Sequence, residues 1–223
     1  MVDEPIVLIS DPAVVATPVV ECGEPLHDVR EQPALRLDPR KADADGAYSK
    51  LRVGVLERLV MAQAGLPAGL HLLIIEGYRP MAVQQAHFAE YEAELQRLHP
   101  DHPPHEIAVL ASRYIAPPGV APHPAGAAVD LTLCTDDGVE LDLGTPVNAS
   151  PEASSEACYF ISPHVVGPAR ANRDLLAGVL SGAGLVNYPT EWWHWSYGDR
   201  YWAHATGAPQ AKYGAVASRT FEG

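Results

Sequence analysis

The chain has 223 residues, of which 47% are hydrophobic and 19% are charged, and its formal net charge is −13. This size and apolar content allow one large hydrophobic core, so we predict a single domain over residues 1–223. The negative charge, with no run of Lys or Arg, would repel a phosphate backbone and argues against nucleic acid as a partner.

Membrane spans, signal peptides and disulfides are not indicated either. No stretch approaches the roughly 18 consecutive apolar residues of a membrane-spanning helix. Residues 1–5 lack the basic region and apolar core of a signal peptide, which predicts a cytoplasmic protein or one that has lost its leader. The chain has an odd number of cysteines, which are widely spaced, so free thiols are expected at Cys22, Cys134 and Cys158.

The first third of the chain predicts an arm, a helix and a strand. Residues 1–47 are rich in proline and acidic residues, which indicates an extended N-terminal arm that packs on the domain. Hydrophobic residues then recur every four positions over 49–64, the spacing of an amphipathic helix, and Gly65 ends it. The apolar run over 70–75 predicts a buried strand.

The middle of the chain predicts a second helix and two further strands. Pro80 suits the start of a helix, which should end before Pro100. Residues 99–122 contain many prolines and are predicted to be loop. A strand is expected over 127–133, followed by a polar turn and a return strand near 139–143.

The last part of the chain completes the predicted architecture. Residues 172–183 have the hydrophobic spacing of a third helix, and 185–188 and 192–197 predict a pair of strands. The mixture of helices and short strands indicates an α+β class, with a small, mainly antiparallel sheet and flanking helices.

Two segments carry the residues of a candidate zinc site. His123 and Asp130 enclose a stretch of small residues, which leaves room for a compact centre, and His194 lies near the end of the chain. Two imidazoles and one carboxylate can bind Zn²⁺ and leave its fourth position to water. Taken alone, however, the first segment is equally consistent with a surface histidine and a structural aspartate.

Glu191 adds a candidate base to this site. It precedes His194 by three residues, which is close enough to take a proton from such a water. On a straight strand, residues three apart point to opposite faces of the sheet. We therefore predict a turn or bulge over 190–192 that brings Glu191 back over the metal.

Four motifs together resemble a known family. They occur in order over about residues 48–200 and read Glu76-Gly77-Tyr78-Arg79-Pro80, His123-x-x-Gly126-x-Ala128-x-Asp130, Asn172-Arg173 and Glu191-x-x-His194. Their combination resembles the D-alanyl-D-alanine dipeptidases of the VanX type, within a wider group of zinc D,D-peptidases that includes D,D-carboxypeptidases. The resemblance implies the VanX/hedgehog-like α+β fold and an enzyme of cell-wall peptidoglycan chemistry.

The same resemblance implies a role for eight residues. One Zn²⁺ ion per chain would be bound by His123, Asp130 and His194. Glu191 would be the catalytic base, and Arg79 would stabilise the oxyanion, for which a guanidinium offers directed hydrogen bonds. Substrate contacts are expected from the remaining three, Glu76, Tyr78 and Trp193.

The chain departs from the family pattern beside the expected substrate contacts. Ala121 stands where the family usually has Ser, and Val147-Asn148 replaces the usual Phe-Asp. Three functions therefore stay open: hydrolysis of a small dipeptide such as D-Ala-D-Ala, a D,D-carboxypeptidase or hydrolase of another small amide, and a zinc-binding domain without catalysis. The presence of both Glu191 and Arg79 argues against the last. Assembly into a homo-oligomer is also left open.

Overall fold

The structure is a computed structural model and describes residues 5–217. This part of the chain contains seven strands: β1 (Leu26–Asp28), β2 (Arg36–Leu37), β3 (Lys50–Arg52), β4 (Leu70–Glu76), β5 (Ala128–Thr135), β6 (Val186–Asn187) and β7 (His194–Ser196). The same residues form seven α-helices: α1 (Pro12–Val15), α2 (Val53–Ala64), α3 (Met81–Leu98), α4 (Pro104–Ala111), α5 (Pro151–Ser154), α6 (Gly167–Gly182) and α7 (Arg200–Thr206).

A five-stranded sheet forms the centre of the molecule, with strand order β2-β4-β5-β7-β6. The pairs β4–β5, β5–β7 and β7–β6 are antiparallel, and only β2 runs parallel to its neighbour β4. Strands β1 and β3 form a separate antiparallel pair. The predicted α+β class with a small, mainly antiparallel sheet is therefore confirmed.

The two longest strands are buried on both faces. All residues of β5 from Ala128 to Cys134 are buried, as are those of β4 from Leu72 to Glu76. Helices α2 and α6 contact each other, and their hydrophobic residues share one core with these strands. A sheet covered in this way holds the residues at its strand ends in a rigid, dry setting.

Several sequence predictions agree with these elements. The predicted strand over 70–75 corresponds to β4, and Pro80 directly precedes α3, which ends before Pro100. The predicted strand over 127–133 corresponds to β5. The final strand pair is also present, although β6 and β7 are shorter than predicted.

Other boundaries were wrong for identifiable reasons. The helix predicted over 49–64 begins only at Val53, because residues 50–52 pair with β1. Helix α4 lies inside the segment predicted to be loop, since Pro104 occupies its first turn, where proline is tolerated. The predicted return strand near 139–143 is reduced to an isolated bridge between Cys134 and Glu140.

The described part of the predicted arm contributes to both sheets. Strand β2 extends the edge of the central sheet beside β4, and β1 pairs with β3. Further towards the N-terminus, Ile9 and Val14 pack against Tyr188 and Tyr201. The single domain over residues 1–223 stays a prediction. Over residues 5–217, none of the helices has the length and hydrophobicity that crossing a membrane requires.

Arg173 on α6 is fully buried and bonds only to backbone carbonyls. Its Nε donates to Leu143 O at 2.7 Å, its Nη1 to Tyr159 O at 2.6 Å and its Nη2 to Ala157 O at 2.8 Å. Burial, together with the charge of Arg170, lowers the pKa of Arg173 to about 10, so it stays charged at neutral pH. Arg173 therefore holds the segment over 143–160, which includes α5, against α6.

Replacing Arg173 by Met should lower the free energy of unfolding by about 3–5 kcal/mol, because several buried carbonyls lose their donor at about 1–3 kcal/mol each. Urea unfolding followed by circular dichroism measures the change. Arg97→Met is the control, since Arg97 is exposed and bonds only within its own helix, to Ala93 O. Equal stability of the two variants would contradict the role of Arg173.

Candidate active site

Three adjacent strands place one site residue each in a single row. Asp130 on β5 pairs with Glu76 at the end of β4 and, on its other side, with His194 at the start of β7. The register of β4 shifts between Ile74 and Glu76, where a bulge leaves Ile75 unpaired. Directly paired residues of neighbouring strands point to the same face of a sheet. The bulge therefore turns Glu76 to the face that carries Asp130 and His194.

His123 reaches the same row from a short 3-10 helix over 123–125. This helix ends at Gly126, whose φ of 65° is left-handed and whose missing side chain leaves space for Leu26. The His123 ring is fixed by the end of β4, because its Nδ1 lies 2.7 Å from Gly77 O. Gly77 is itself required there, since a Cβ would lie 2.5 Å from Lys50 O.

The predicted turn before His194 is present. The Glu191 N–H donates to Tyr188 O at 2.9 Å, and the His194 N–H donates to Glu191 O at 3.2 Å. The Asn187 side-chain amide donates to both Glu191 O and His194 O, at 2.9 and 3.0 Å. As a result, a Glu191 carboxylate oxygen lies 3.6 Å from His194 Nδ1, on the same side of the chain.

The donor atoms of His123, Asp130 and His194 fit a tetrahedral zinc ion. His194 Nδ1 lies 3.0 Å from Asp130 Oδ1 and 3.2 Å from His123 Nε2, and the third separation, His123 Nε2 to Asp130 Oδ1, is 3.4 Å. Tetrahedral ligands at zinc bond lengths of about 2.0–2.1 Å lie about 3.3 Å apart. Two imidazole nitrogens and a carboxylate oxygen are also donors that zinc prefers.

The protonation of this donor set also suits a metal. If the His123 Nδ1–H donates to Gly77 O, the Nε2 lone pair is free to bind a cation. Burial lowers the pKa of His194, which favours the neutral form of its ring that can bind a metal. Burial alone would raise the pKa of Asp130, but the charge and hydrogen bonds of the two histidines hold it well below its usual range. All three side chains are buried.

Arg79 is held rigidly at the edge of the donor set. Its Nε and Nη2 donate to the two carboxylate oxygens of Glu76 at 2.7 and 2.8 Å, and its Nη1 donates to Gln84 Oε1 at 2.9 Å. Arg79 Nη2 is 4.0 Å from Asp130 Oδ2. Burial opposes its charge, but the bonds to Glu76 and nearby carboxylates raise the pKa of Arg79. The guanidinium therefore stays charged and oriented.

Glu191 is the buried carboxylate whose negative charge is least compensated by its surroundings. Burial, followed by the negative charge of Asp130, raises the pKa of Glu191 well above its usual range, and Arg79 only partly offsets this. A carboxyl group whose pKa is raised towards neutrality is suited to accept and release a proton. A cation between the three donors would add a positive charge beside it.

A cavity of about 280 Å³ opens onto this site. His123, Asp130, His194, Glu191 and Arg79 all line it, so the five residues predicted to bind metal or act in catalysis lie together. The cavity is open to one side and has a mixed wall of charged, aromatic and aliphatic residues.

The three residues predicted to contact substrate do not line this cavity: Glu76, Tyr78 and Trp193. Glu76 is buried and its carboxylate bonds to Arg79. Trp193 lies in the main core. Neighbouring side chains of an extended chain point to opposite sides, and the side chain of the next residue, His194, points to the cavity. Tyr78 is half-buried beside Lys50, whose carbonyl accepts its backbone N–H.

Sequence analysis missed most of the cavity wall. One face of α3 contributes Gln84, His87 and Tyr91, which recur at helical spacing. This face is polar, so hydrophobic periodicity could not find it. Tyr114 and Ile9 come from distant segments without a recognisable motif, whereas Asn148 belongs to the Val147-Asn148 pair at which the chain departs from the family pattern.

Comparisons with known proteins agree with the geometry. A family model described as D-Ala-D-Ala dipeptidase (Peptidase_M15) matches residues 51–211, a span that includes all four motifs. The chain is 32% identical over 219 residues to a D-alanyl-D-alanine dipeptidase of Synechocystis sp., which covers 84% of this chain and 87% of that protein. It is 34% identical over 127 residues to the D-alanyl-D-alanine dipeptidase of Escherichia coli, covering 57% and 55% of the two chains. A solved structure of VanYB in complex with D-Alanine-D-Alanine is similar with 18% identity and a TM-score of 0.44, over 74% of this chain and 81% of that one.

Replacing His123 by Ala should weaken Zn²⁺ binding by more than about 100-fold, since the loss of a second-shell partner alone costs about 10–100-fold. Competition with a chromogenic chelator measures the affinity, and circular dichroism checks the fold. His87→Ala is the matched control, because His87 lines the same cavity without belonging to the donor set. Equal zinc affinities of the two variants would contradict His123 as a ligand.

Proposed function

Because the chain belongs to the D-Ala-D-Ala dipeptidase family of zinc metallopeptidases, we propose that it hydrolyses D-Ala-D-Ala at one zinc ion bound by His123, Asp130 and His194. The observation that carries this proposal is the spacing of the three donor atoms, 3.0–3.4 Å, beside the carboxylate of Glu191. This combination provides both a place for the metal and a group that can move a proton.

Glu191 acts as the general base and then as the general acid. When bound, zinc supplies Lewis-acid chemistry that polarises the scissile carbonyl and makes water a nucleophile near neutral pH. The Glu191 carboxylate takes the proton from the attacking water and passes it to the amine nitrogen as the C–N bond breaks. Its oxygen lies 3.6 Å from His194 Nδ1, which places it within reach of a water beside the donor set.

Arg79 stabilises the oxyanion that forms on the carbonyl oxygen. Its guanidinium borders Asp130 and lines the cavity, and Glu76 and Gln84 prevent it from rotating. A fixed positive charge in a dry site stabilises developing negative charge more than a mobile one, since no reorganisation is needed. Glu76 is thus a positioning residue for Arg79.

The cavity favours a small substrate over a long peptide. Its volume of about 280 Å³ lies near the lower end of the usual range of ligand pockets, about 300–1,000 Å³. Both ends of a dipeptide are charged, and the wall offers charged groups of both signs, among them Lys41, Glu90 and Glu94. The alternative function is that of a D,D-carboxypeptidase, which acts on longer or acylated peptides. We do not propose a zinc-binding domain without catalysis.

A substrate panel distinguishes the two activities. The purified chain with one equivalent of Zn²⁺ should release D-alanine from D-Ala-D-Ala and lose this activity with a chelator. Hydrolysis should be slower for N-acetyl-D-Ala-D-Ala and for the L,L-, D,L- and L,D-dipeptides. Their kcat/KM should be lower by about 100-fold or more, because polar groups of the site would lose their hydrogen-bonding partners on these substrates. Faster hydrolysis of the acetylated peptide would favour the carboxypeptidase.

Glu191→Gln should reduce kcat by at least about 100-fold, the lower range of what a general acid–base residue contributes. Zinc content should stay unchanged, because Glu191 is not among the three donors. Glu57→Gln provides the matched control, since it makes the same change at an exposed position that does not line the cavity. Retained turnover in the zinc-loaded Glu191→Gln variant would reject Glu191 as the base.

A further inference from the structure

Two residues of the N-terminal arm line the active-site cavity, Lys41 and Ile9, and of these Ile9 is the buried one. Ile9 is 2% exposed and lines the same cavity as Glu191 and His194. It lies more than 100 residues away in sequence from each of the metal-donor and base residues. Nothing in the motifs of the chain assigns a role to this position.

The position of Ile9 is fixed by hydrogen bonds around Tyr188. The Ile9 N–H donates to the Tyr188 hydroxyl at 3.1 Å, and this hydroxyl donates to Ser112 O at 2.6 Å. The neighbouring Ser10 hydroxyl lies 2.7 Å from that of Ser112. Two consecutive residues of the arm are thus held by hydrogen bonds, Ile9 to Tyr188 and Ser10 to Ser112, the residue that follows α4.

Tyr188 also belongs to the turn that carries the catalytic groups. Its carbonyl accepts the Glu191 N–H at 2.9 Å, and its ring packs edge-on against His194 with centroids 6.1 Å apart. The same side chain therefore contacts the arm and the donor set. This arrangement fixes the distance between the Ile9 side chain and the reacting groups.

Ile9 supplies aliphatic surface to a cavity whose wall is otherwise mainly polar or aromatic. Only Ile115 and Ala116 join it as aliphatic residues among those lining the cavity, and Ala116 packs in the same hydrophobic cluster as Ile9. The methyl side chain of an alanine residue would pack against such a surface. Larger side chains would collide with Ile9, because the arm behind it is hydrogen-bonded in place.

We propose that Ile9, together with Ala116, forms the wall of the subsite for a substrate side chain and limits that side chain to about the size of methyl. This inference rests on the proposed dipeptidase function and names a specificity-determining residue for it. The N-terminal arm is then part of the substrate site, although it holds none of the three metal donors or the proposed base.

Ile9→Ala tests the proposal by enlarging the subsite. The ratio of kcat/KM for D-Ala-D-Val or D-Val-D-Ala to that for D-Ala-D-Ala should rise by about 10-fold or more for one of the two, as expected for the space of one or two methylenes. Ile9→Val, which removes a single methylene, should shift the same ratio by less. An unchanged ratio in both variants overturns the proposal. If Ile9→Ala does not fold, the ratio measured for Ile9→Val tests the proposal alone.

Val14→Ala is the matched control. Val14 is fully buried in the same hydrophobic cluster, but it does not line the cavity. This variant should lose stability without changing the substrate ratio. An equal change of the ratio in Val14→Ala and Ile9→Ala would show that a loosened arm, and not the wall itself, alters selectivity.

Binding measurements separate this inference from the proposed function. Calorimetry with the Glu191→Gln variant, alone and combined with Ile9→Ala, gives the Kd of D-Ala-D-Ala and of the two valine dipeptides without turnover. A wild-type chain that hydrolyses none of them would reject the proposed function, whereas the Kd ratio would still decide the role of Ile9. A ratio of Kd values that does not respond to Ile9→Ala overturns the proposal.

Discussion

The pairing of β4, β5 and β7 is the constraint on which the site depends. It aligns Glu76, Asp130 and His194 across three neighbouring strands. Because side chains alternate along a strand, a slip of one residue in either pairing would turn a donor or the partner of Arg79 to the opposite face. The long, fully buried β5 resists such a slip, since each of its faces is already packed. The register of the sheet therefore determines the chemistry.

This alignment concentrates charge in a buried place. The carboxylates of Glu76, Asp130 and Glu191 are buried around one buried guanidinium, that of Arg79. Lys41, 3.9 Å from Glu76, is more exposed, and water screens its contribution. With Glu191 ionised, the buried groups carry an excess of two negative charges, which is costly in a dry interior. A divalent cation bound by the three donors would balance both charges, whereas protonation of Glu191, which its raised pKa favours, would remove one of them.

Local sequence patterns identified the parts of this arrangement that are encoded locally. Strands β4 and β5 and the start of α3 follow from apolar runs and from Pro80. The donor set follows from two motifs, and the turn before His194 follows from the alternation of side chains along a strand. The short strands β1, β2 and β3 could not be predicted, because they exist only through pairing with distant partners. Trp193 was expected at the substrate because it stands next to His194 in the motif, but its side chain lies in the main core.

The residues of the cavity wall come from different parts of the fold than the metal donors do. Two donors lie on the rigid sheet and the third, His123, lies on the short 3-10 helix before β5. In contrast, Ile9, Tyr114 and Asn148 come from the periphery. Asn148 has a left-handed backbone, with φ of 63°, a conformation that asparagine tolerates better than most residues, and its carbonyl accepts the Tyr114 hydroxyl at 2.8 Å. Since the replacement of Phe-Asp by Val147-Asn148 falls in this peripheral part, it can change which substrate fits while leaving the metal chemistry intact. In the proposed function, hydrolysis and selectivity would thus be set by separate segments of one chain.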